Sequence, residues 1–230
     1  MFKNTKISTR LFLGFGLMVV FIIGVGEFAI LQMHTLSQLT SDLYEHPFTV
    51  NRALRDIKMN LFEMRSRVKD TVLARNSAEI DAATQMVDSL EKDTQELIAV
   101  VKQQYLGDKA DGDELEQSFI GWKPVRDEII ASSRAGTKEQ SAEWIIKGKG
   151  FGHFSKLQAV LNKMMDFSNN KAEFFFFFSN AQARHSSAWM VGLLLILTLL
   201  AIWIAFMITR AITCPLNLAV KVANGIAEGN

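Results

Sequence analysis

Residues 189–208 read WMVGLLLILTLLAIWIAFMI, twenty residues with neither a charge nor a proline. About 20 apolar residues in a helix match the hydrocarbon thickness of a bilayer. Strands run to only about 4–8 residues, so the length argues for helix. The stretch sets the expectation of a helical chain anchored in a membrane. It leads into TRAITCPL at residues 209–216, and then into an amphipathic segment that reaches Gly229 and Asn230.

Toward the N-terminus, residues 11–33 form a second apolar run, broken only by Glu27 and Gln32. The polar residues 1–10 before it carry Lys3, Lys6 and Arg10. A cleaved signal peptide would also begin with a basic stretch and an apolar one. Here the apolar part exceeds a usual signal core, and the following EFAILQ is a poor match to a small-residue cleavage site. The run is therefore read as a retained span. Basic residues flank the cytoplasmic ends of spans, so Lys3, Lys6 and Arg10 place residues 1–10 inside, and Arg210 and Lys221 place residues 209–230 inside. The expected order is a cytoplasmic N-terminus (1–10), transmembrane helix 1 (11–33), an exterior domain (34–187), transmembrane helix 2 (189–208) and an interior segment (209–230). Glu27 sits near the outer end of the first span, where a carboxylate is costly unless it reaches the interface or a partner.

Composition narrows the function classes. The 230 residues carry a net charge of +1, and 20 of the 25 Lys and Arg lie in 34–187 against 22 Asp and Glu. Nucleic-acid binding, which needs a basic field, is not expected. Cys214 is the only cysteine, so no internal disulfide and no cysteine-based metal site can form.

The exterior reads as helix throughout. Val50, Leu54, Ile57, Leu61, Met64 and Val68 recur at steps of 4, 3, 4, 3 and 4, a heptad stripe. Leu36, Leu39 and Leu43 join it through one extra four-residue step near Pro47, where a kink is expected. Asn76 with Glu79 three residues later signals the start of a second helix. Its stripe is Ile80, Ala83, Val87, Leu90, Thr94, Leu97 and Val101. Residues 107–113 (GDKADGD) read as a turn. A third helix carries Leu115, Phe119, Trp122 and Ile129, with a bend expected at Pro124. A fourth starts near Thr137, is weakened by Gly148, Gly150 and Gly152, and can run unbroken into the second span. Four amphipathic helices with short connections bury their stripes as an antiparallel four-helix bundle, so the fold class is all-α.

Chemistry-bearing motifs are scarce. The four histidines lack the Glu-x-x-His pairs of a di-iron bundle. The glycines at 148–152 lack the spacing of a phosphate loop. No nucleophile elbow, zinc-protease helix or kinase signature occurs. No enzyme activity, metal or cofactor is expected. The best ligand candidates are arginines. Residues 49–75 hold seven basic side chains against three acidic ones, and arginine suits bidentate carboxylate recognition. Arg52, Arg55 and Arg65 are the chosen candidates for a small anionic ligand, between helices or across a dimer interface. The competing account is that this basic helix pairs with the second one, which holds six acidic and two basic residues over 76–104. The five phenylalanines at 174–178 cover every face of a helix, and no single core requires that.

His46-Pro47-Phe48-Thr49-Val50 with Ala53-Leu54-Arg55-Asp56-Ile57, and Trp122-Lys123-Pro124-Val125-Arg126-Asp127-Glu128, resemble the four-helix-bundle sensor half of bacterial methyl-accepting chemotaxis receptors. Arg210, Ile212, Thr213, Pro215 and Leu216, followed by Ala219, Ala223, Ile226 and Gly229, resemble the first helix of a HAMP linker. The resemblance implies an inner-membrane homodimer whose periplasmic bundle senses a small molecule. It implies a shift passed through transmembrane helix 2 to Arg210, Pro215 and Leu216, and on to cytoplasmic signalling proteins through a C-terminal domain that would follow the linker. The same sensor half precedes histidine kinases and cyclic-di-GMP enzymes. A membrane-anchored adaptor without an output domain is a further alternative.

Overall fold

The computed structural model describes residues 7–227; Lys3, Lys6, Gly229 and Asn230, cited above, lie outside them. Among the described residues every regular element is a helix: α1 (Ile7–Leu43), a π-helical turn (Tyr44–Phe48), α2 (Thr49–Leu73), α3 (Ser77–Gln104), α4 (Lys109–Arg134), α5 (Lys138–Ile146) and α6 (Lys149–Ala227). The fold is all-α, as expected. The chain divides into two compact units. Leu39–Phe178 holds the bundle, and the other unit pairs the first part of α1 with α6 from Ser179 onward.

In the bundle, α2, α3, α4 and the first part of α6 alternate in direction around one core. The α2 stripe from Val50 to Val68 is fully buried. Leu157, Leu161 and Met164 of α6 complete it. Phe154 packs its ring against Phe62 of α2 (5.3 Å between centroids) and Trp122 of α4 (5.9 Å). Near the opposite end of these helices, Phe167 meets Tyr105 at 5.2 Å. Burying a large apolar side chain contributes about 1.5–3 kcal/mol, so this stripe outweighs any single polar contact.

The helix ends are set by local chemistry. Asn76 caps α3 by accepting the Glu79 N–H at 3.0 Å. Glu79 reaches back to the Arg75 N–H at 2.8 Å, one residue earlier than in a standard capping box. At the end of α4, Gly136 takes φ +84°. The Thr137 N–H then returns to the Ser132 carbonyl at 3.1 Å, the Schellman closure that favours glycine.

Several expected boundaries move. Pro47 does not simply kink the chain: it is absorbed in the π turn, where the Thr49 N–H and hydroxyl both return to the Tyr44 carbonyl. Widening the turn by one residue relieves the clash that a proline ring makes with the carbonyl four residues earlier. The turn before α4 is shorter than 107–113, because Asp108 accepts the Ala110 N–H at 2.9 Å and starts the helix at Lys109. Pro124 stands inside α4 without dividing it. The helix expected from Thr137 is instead split at Lys147 and Gly148. Both flanking glycines are needed there. A Cβ on Gly148 would lie 3.0 Å from the Trp144 Cα, and one on Gly150 would lie 2.9 Å from the Trp144 carbonyl oxygen.

In the other unit, α1 and α6 meet along a narrow seam. A Cβ on Gly14 would stand 3.1 Å from Ile204, which is buried. Gln32 accepts hydrogen bonds from Gln182 and Ser186. Away from the seam, large apolar side chains such as Phe15, Ile22, Leu195 and Trp203 point outward. An exposed apolar surface of that kind calls for an apolar covering.

Candidate functional site

The arginines that single out α2 separate into two environments. Alongside its buried stripe, α2 together with the last residue of the π turn carries a second heptad on its outer side: Phe48, Arg52, Arg55, Met59, Phe62, Ser66, Lys69 and Leu73, at steps of 4 and 3. All eight are exposed or half-buried. Phe48 (57%), Met59 (69%) and Leu73 (77%) are apolar side chains left largely in the open. The Arg52 side chain is 79% exposed, with only a 3.9 Å contact to Asp56 one turn on. Such a surface pair contributes little. Arg52 and Arg55 lie one turn apart on this outer face.

Arg65 is not with them. It stands about 20 Å further along α2 and roughly 140° around it from Arg52. Its guanidinium donates to the Ile145 carbonyl at 3.3 Å and lies over the Phe154 ring at 4.6 Å. It therefore ties α2 to α5 and α6 within one bundle.

Beside Arg65 is a residue that the reading of α4 passed over. Arg126 is 1% exposed, deep in the core. Its Nη2 donates to Glu91 of α3 at 2.8 Å and its Nη1 to the Met64 sulfur of α2 at 2.8 Å. The guanidinium also lies 4.8 Å from the Trp122 ring centroid. Burial lowers its pKa below the ordinary arginine value, against the opposing pull of Glu91. Removing one partner of such a buried pair leaves an uncompensated charge. The signal was in the spacing: Leu115, Phe119, Trp122 and Ile129 leave a gap at position 126, where the heptad continues and an arginine stands. Arg65, Arg126 and Gly150 share a cavity of about 10 Å³, room for one water.

Two of the acidic residues of α3 pair with α4, and none of them pairs with α2 among the described residues. Glu91 pairs with Lys123 and Arg126, and Asp81 with Arg134. Among the described residues no ion pair joins α2 to α3. The competing account, that α2 pairs with α3, holds for their packing but not for their charges, and Arg52 and Arg55 stay exposed.

Residues 4–175 match the family described as "Four helix bundle sensory module for signal transduction". The chain belongs to that family. It is thus a signal-transducing sensor, and the helical bundle is its sensory module. No curated protein and no solved structure matches the chain. Of the remaining candidates in this sensor, Arg210, Pro215 and Leu216 lie near the end of α6 with exposed side chains. A proline at this place suits the first turn of a new helix, but α6 passes through Pro215 and continues to Ala227. A proline inside a helix removes one backbone bond, so position 215 is a weak point without a break.

Proposed function

We propose that this sensor is a transmembrane receptor that works as a homodimer, binds a small anion through Arg52 and Arg55, and signals for chemotaxis. The observation that carries the reading is the outer heptad of α2. A regular apolar-and-arginine stripe on an exposed helix face suits a second copy of the same face. Paired about a two-fold axis, it would bring Arg52 and Arg55 of both copies together. Four guanidiniums repel one another across a dry interface, and a carboxylate among them turns that repulsion into charge-assisted hydrogen bonds. The ligand then favours the closely paired state, which is the differential affinity that a sensor requires. Arg65 supports α2 from inside the bundle and does not touch the ligand.

The two apolar segments, 11–33 and 189–208, span the inner membrane, with both ends inside and residues 34–187 in the periplasm. A change in α2 pairing reaches the interior along α6 and its HAMP-like end at Arg210, Pro215 and Leu216. Cytoplasmic signalling proteins read it through a domain beyond that linker. The continuity of α6 from Lys149 to Ala227 supports this route. The test is a thermal-shift titration of the full chain in detergent with small dicarboxylates, beside sedimentation for the oligomeric state. The expected result is a dimer whose melting temperature rises with ligand, and no rise in Arg52→Ala/Arg55→Ala. An equal rise in the variant would refute the anion face.

A further inference from the structure

Between α1 and α6, within the unit that holds both apolar segments, lies an open groove of about 490 Å³. It is lined by Phe28 and Gln32 of α1 and by Gln182, His185, Ser186, Trp189 and Leu193 of α6. The volume falls in the range of small-molecule sites. The lining has a direction. Gln32, Gln182, His185 and Ser186 gather at one end, and Phe28, Trp189 and Leu193 form the other. None of these residues is Asp, Glu, Lys or Arg.

The polar end is only half used. The Gln32 Oε1 accepts from the Gln182 Nε2 at 3.3 Å and from the Ser186 hydroxyl at 2.7 Å. Among the described residues, the Gln32 Nε2 and the Gln182 Oε1 make no hydrogen bond. One amide donor and one amide acceptor are therefore left open in a groove whose lining also includes Phe28 and Trp189. We propose that this groove is a second sensory site, which takes an uncharged, lipid-soluble molecule: a flat ring bearing a hydroxyl or carbonyl oxygen. The oxygen accepts from the Gln32 Nε2, and a hydroxyl also donates to the Gln182 Oε1. The ring lies between Phe28 and Trp189, at the offset or edge-on distances that aromatic pairs prefer. A phosphate or carboxylate head would find no arginine or lysine in the lining to receive it.

This site rests on the two-span reading given above, because it places the groove at the outer boundary of the membrane, open to molecules dissolved there. The occupant engages the same glutamine that bridges α1 to α6. Binding therefore favours whichever helix register keeps Gln32 in place, and lets the receptor respond to a membrane-soluble signal as well as an aqueous one.

The test uses the full chain in lipid nanodiscs with menadione, an uncharged two-ring quinone that quenches tryptophan. The Trp189 signal is the difference between wild-type protein and Trp189→Phe. The expected result is saturable quenching of that difference signal. Gln32→Leu/Gln182→Leu should raise the half-saturating concentration at least about ten-fold, and Phe28→Ala should raise it as well. Phe28→Ala leaves the Gln32 bridge untouched, so the site remains testable if the glutamine variant misfolds. Quenching that stays linear in menadione, or that is unchanged in the folded variants, would overturn the proposal. So would a phospholipid that copurifies with the protein and that menadione does not displace. The two-span reading is tested separately with a membrane-impermeant maleimide on whole cells. Cys214 should label only after permeabilisation, and Ser187→Cys in a Cys214→Ser background should label from outside. Labelling of both from one side would refute the two spans. Opposite-side labelling together with linear quenching would refute the groove alone.

Discussion

Arg126 and Arg52 are the same residue type on neighbouring helices of one bundle, and they do opposite things. Arg126 is enclosed by Glu91, Met64 and Trp122, and it joins three helices. Arg52 extends into solvent beside Phe48 and Met59. Counting charge along the chain cannot separate them. What separates them is the heptad position: Arg126 occupies an inward site where an apolar residue is expected, and Arg52 occupies an outward site. Arg65 lies between these extremes, half-buried over Phe154.

Four experiments would break or sharpen that contrast. The largest effect is expected at the core. Arg126→Ala leaves Glu91 with Lys123 as its remaining partner and opens a cavity in the core, and it should cost about 3–5 kcal/mol in urea denaturation of the full chain in detergent. Arg126→Met combined with Glu91→Leu should cost clearly less than the two single changes added together. A loss below about 1 kcal/mol for Arg126→Ala would remove its role as a pin. Arg65→Ala forfeits one hydrogen bond and a cation–π contact, with an expected loss of about 1–2 kcal/mol and no effect on dimer formation. A dimer that dissociates on this change would return Arg65 to the outer face.

A titration gives a third, smaller comparison between inside and outside. Burial, then the nearby Asp111 charge and the hydrogen bond to it, raise the Tyr105 phenol well above its ordinary pKa. A raised folded-state pKa means that the native chain holds its proton longer than the unfolded chain does. The stability this contributes is fully present below the unfolded value of about 10 and is lost as pH climbs from there through the raised folded value. Tyr105→Phe should flatten that alkaline decline, and an unchanged slope would show that the phenol is not enclosed as described. The smallest effect is expected at the outer face. Arg52→Ala and Arg55→Ala should each change stability by no more than about 0.5 kcal/mol, while the carboxylate-induced rise in melting temperature disappears. A large destabilisation without ligand would mean that these side chains belong to the packing.

Most of the fold was legible because hydrophobic periodicity reports burial directly. The stripe from Val50 to Val68, the α3 stripe and the Asn76 cap all stand where their spacing puts them. The misplaced boundaries share a cause. At Pro47, Asp108 and Gly148 the outcome is decided by hydrogen bonds and close approaches involving only a few atoms, and residue type alone does not report these. Pro215 belongs with them, because a helix supported on both sides carries a proline that would end a free one. The candidate site was half legible. The basic excess of α2 pointed to Arg52, Arg55 and Arg65 as one group, but a helix turns 100° per residue and sends Arg65 elsewhere. Arg126 was not legible as a core residue because a charged side chain at a heptad position gives no hydrophobic signal.

The order of helices in the core also has a consequence for synthesis. Lys58 bonds Asn162 at 3.0 Å, and Phe62 meets Phe154, across 90 or more residues of chain. At about 5–20 residues per second, the groove on α2 stays open for roughly 5–20 s before its last covering helix exists. Within that interval Ile57, Leu61 and Met64 have only α3 and α4 to cover them, and those only once they have been made. A nascent chain that pauses before residue 150 therefore leaves this part of the α2 stripe uncovered for longer.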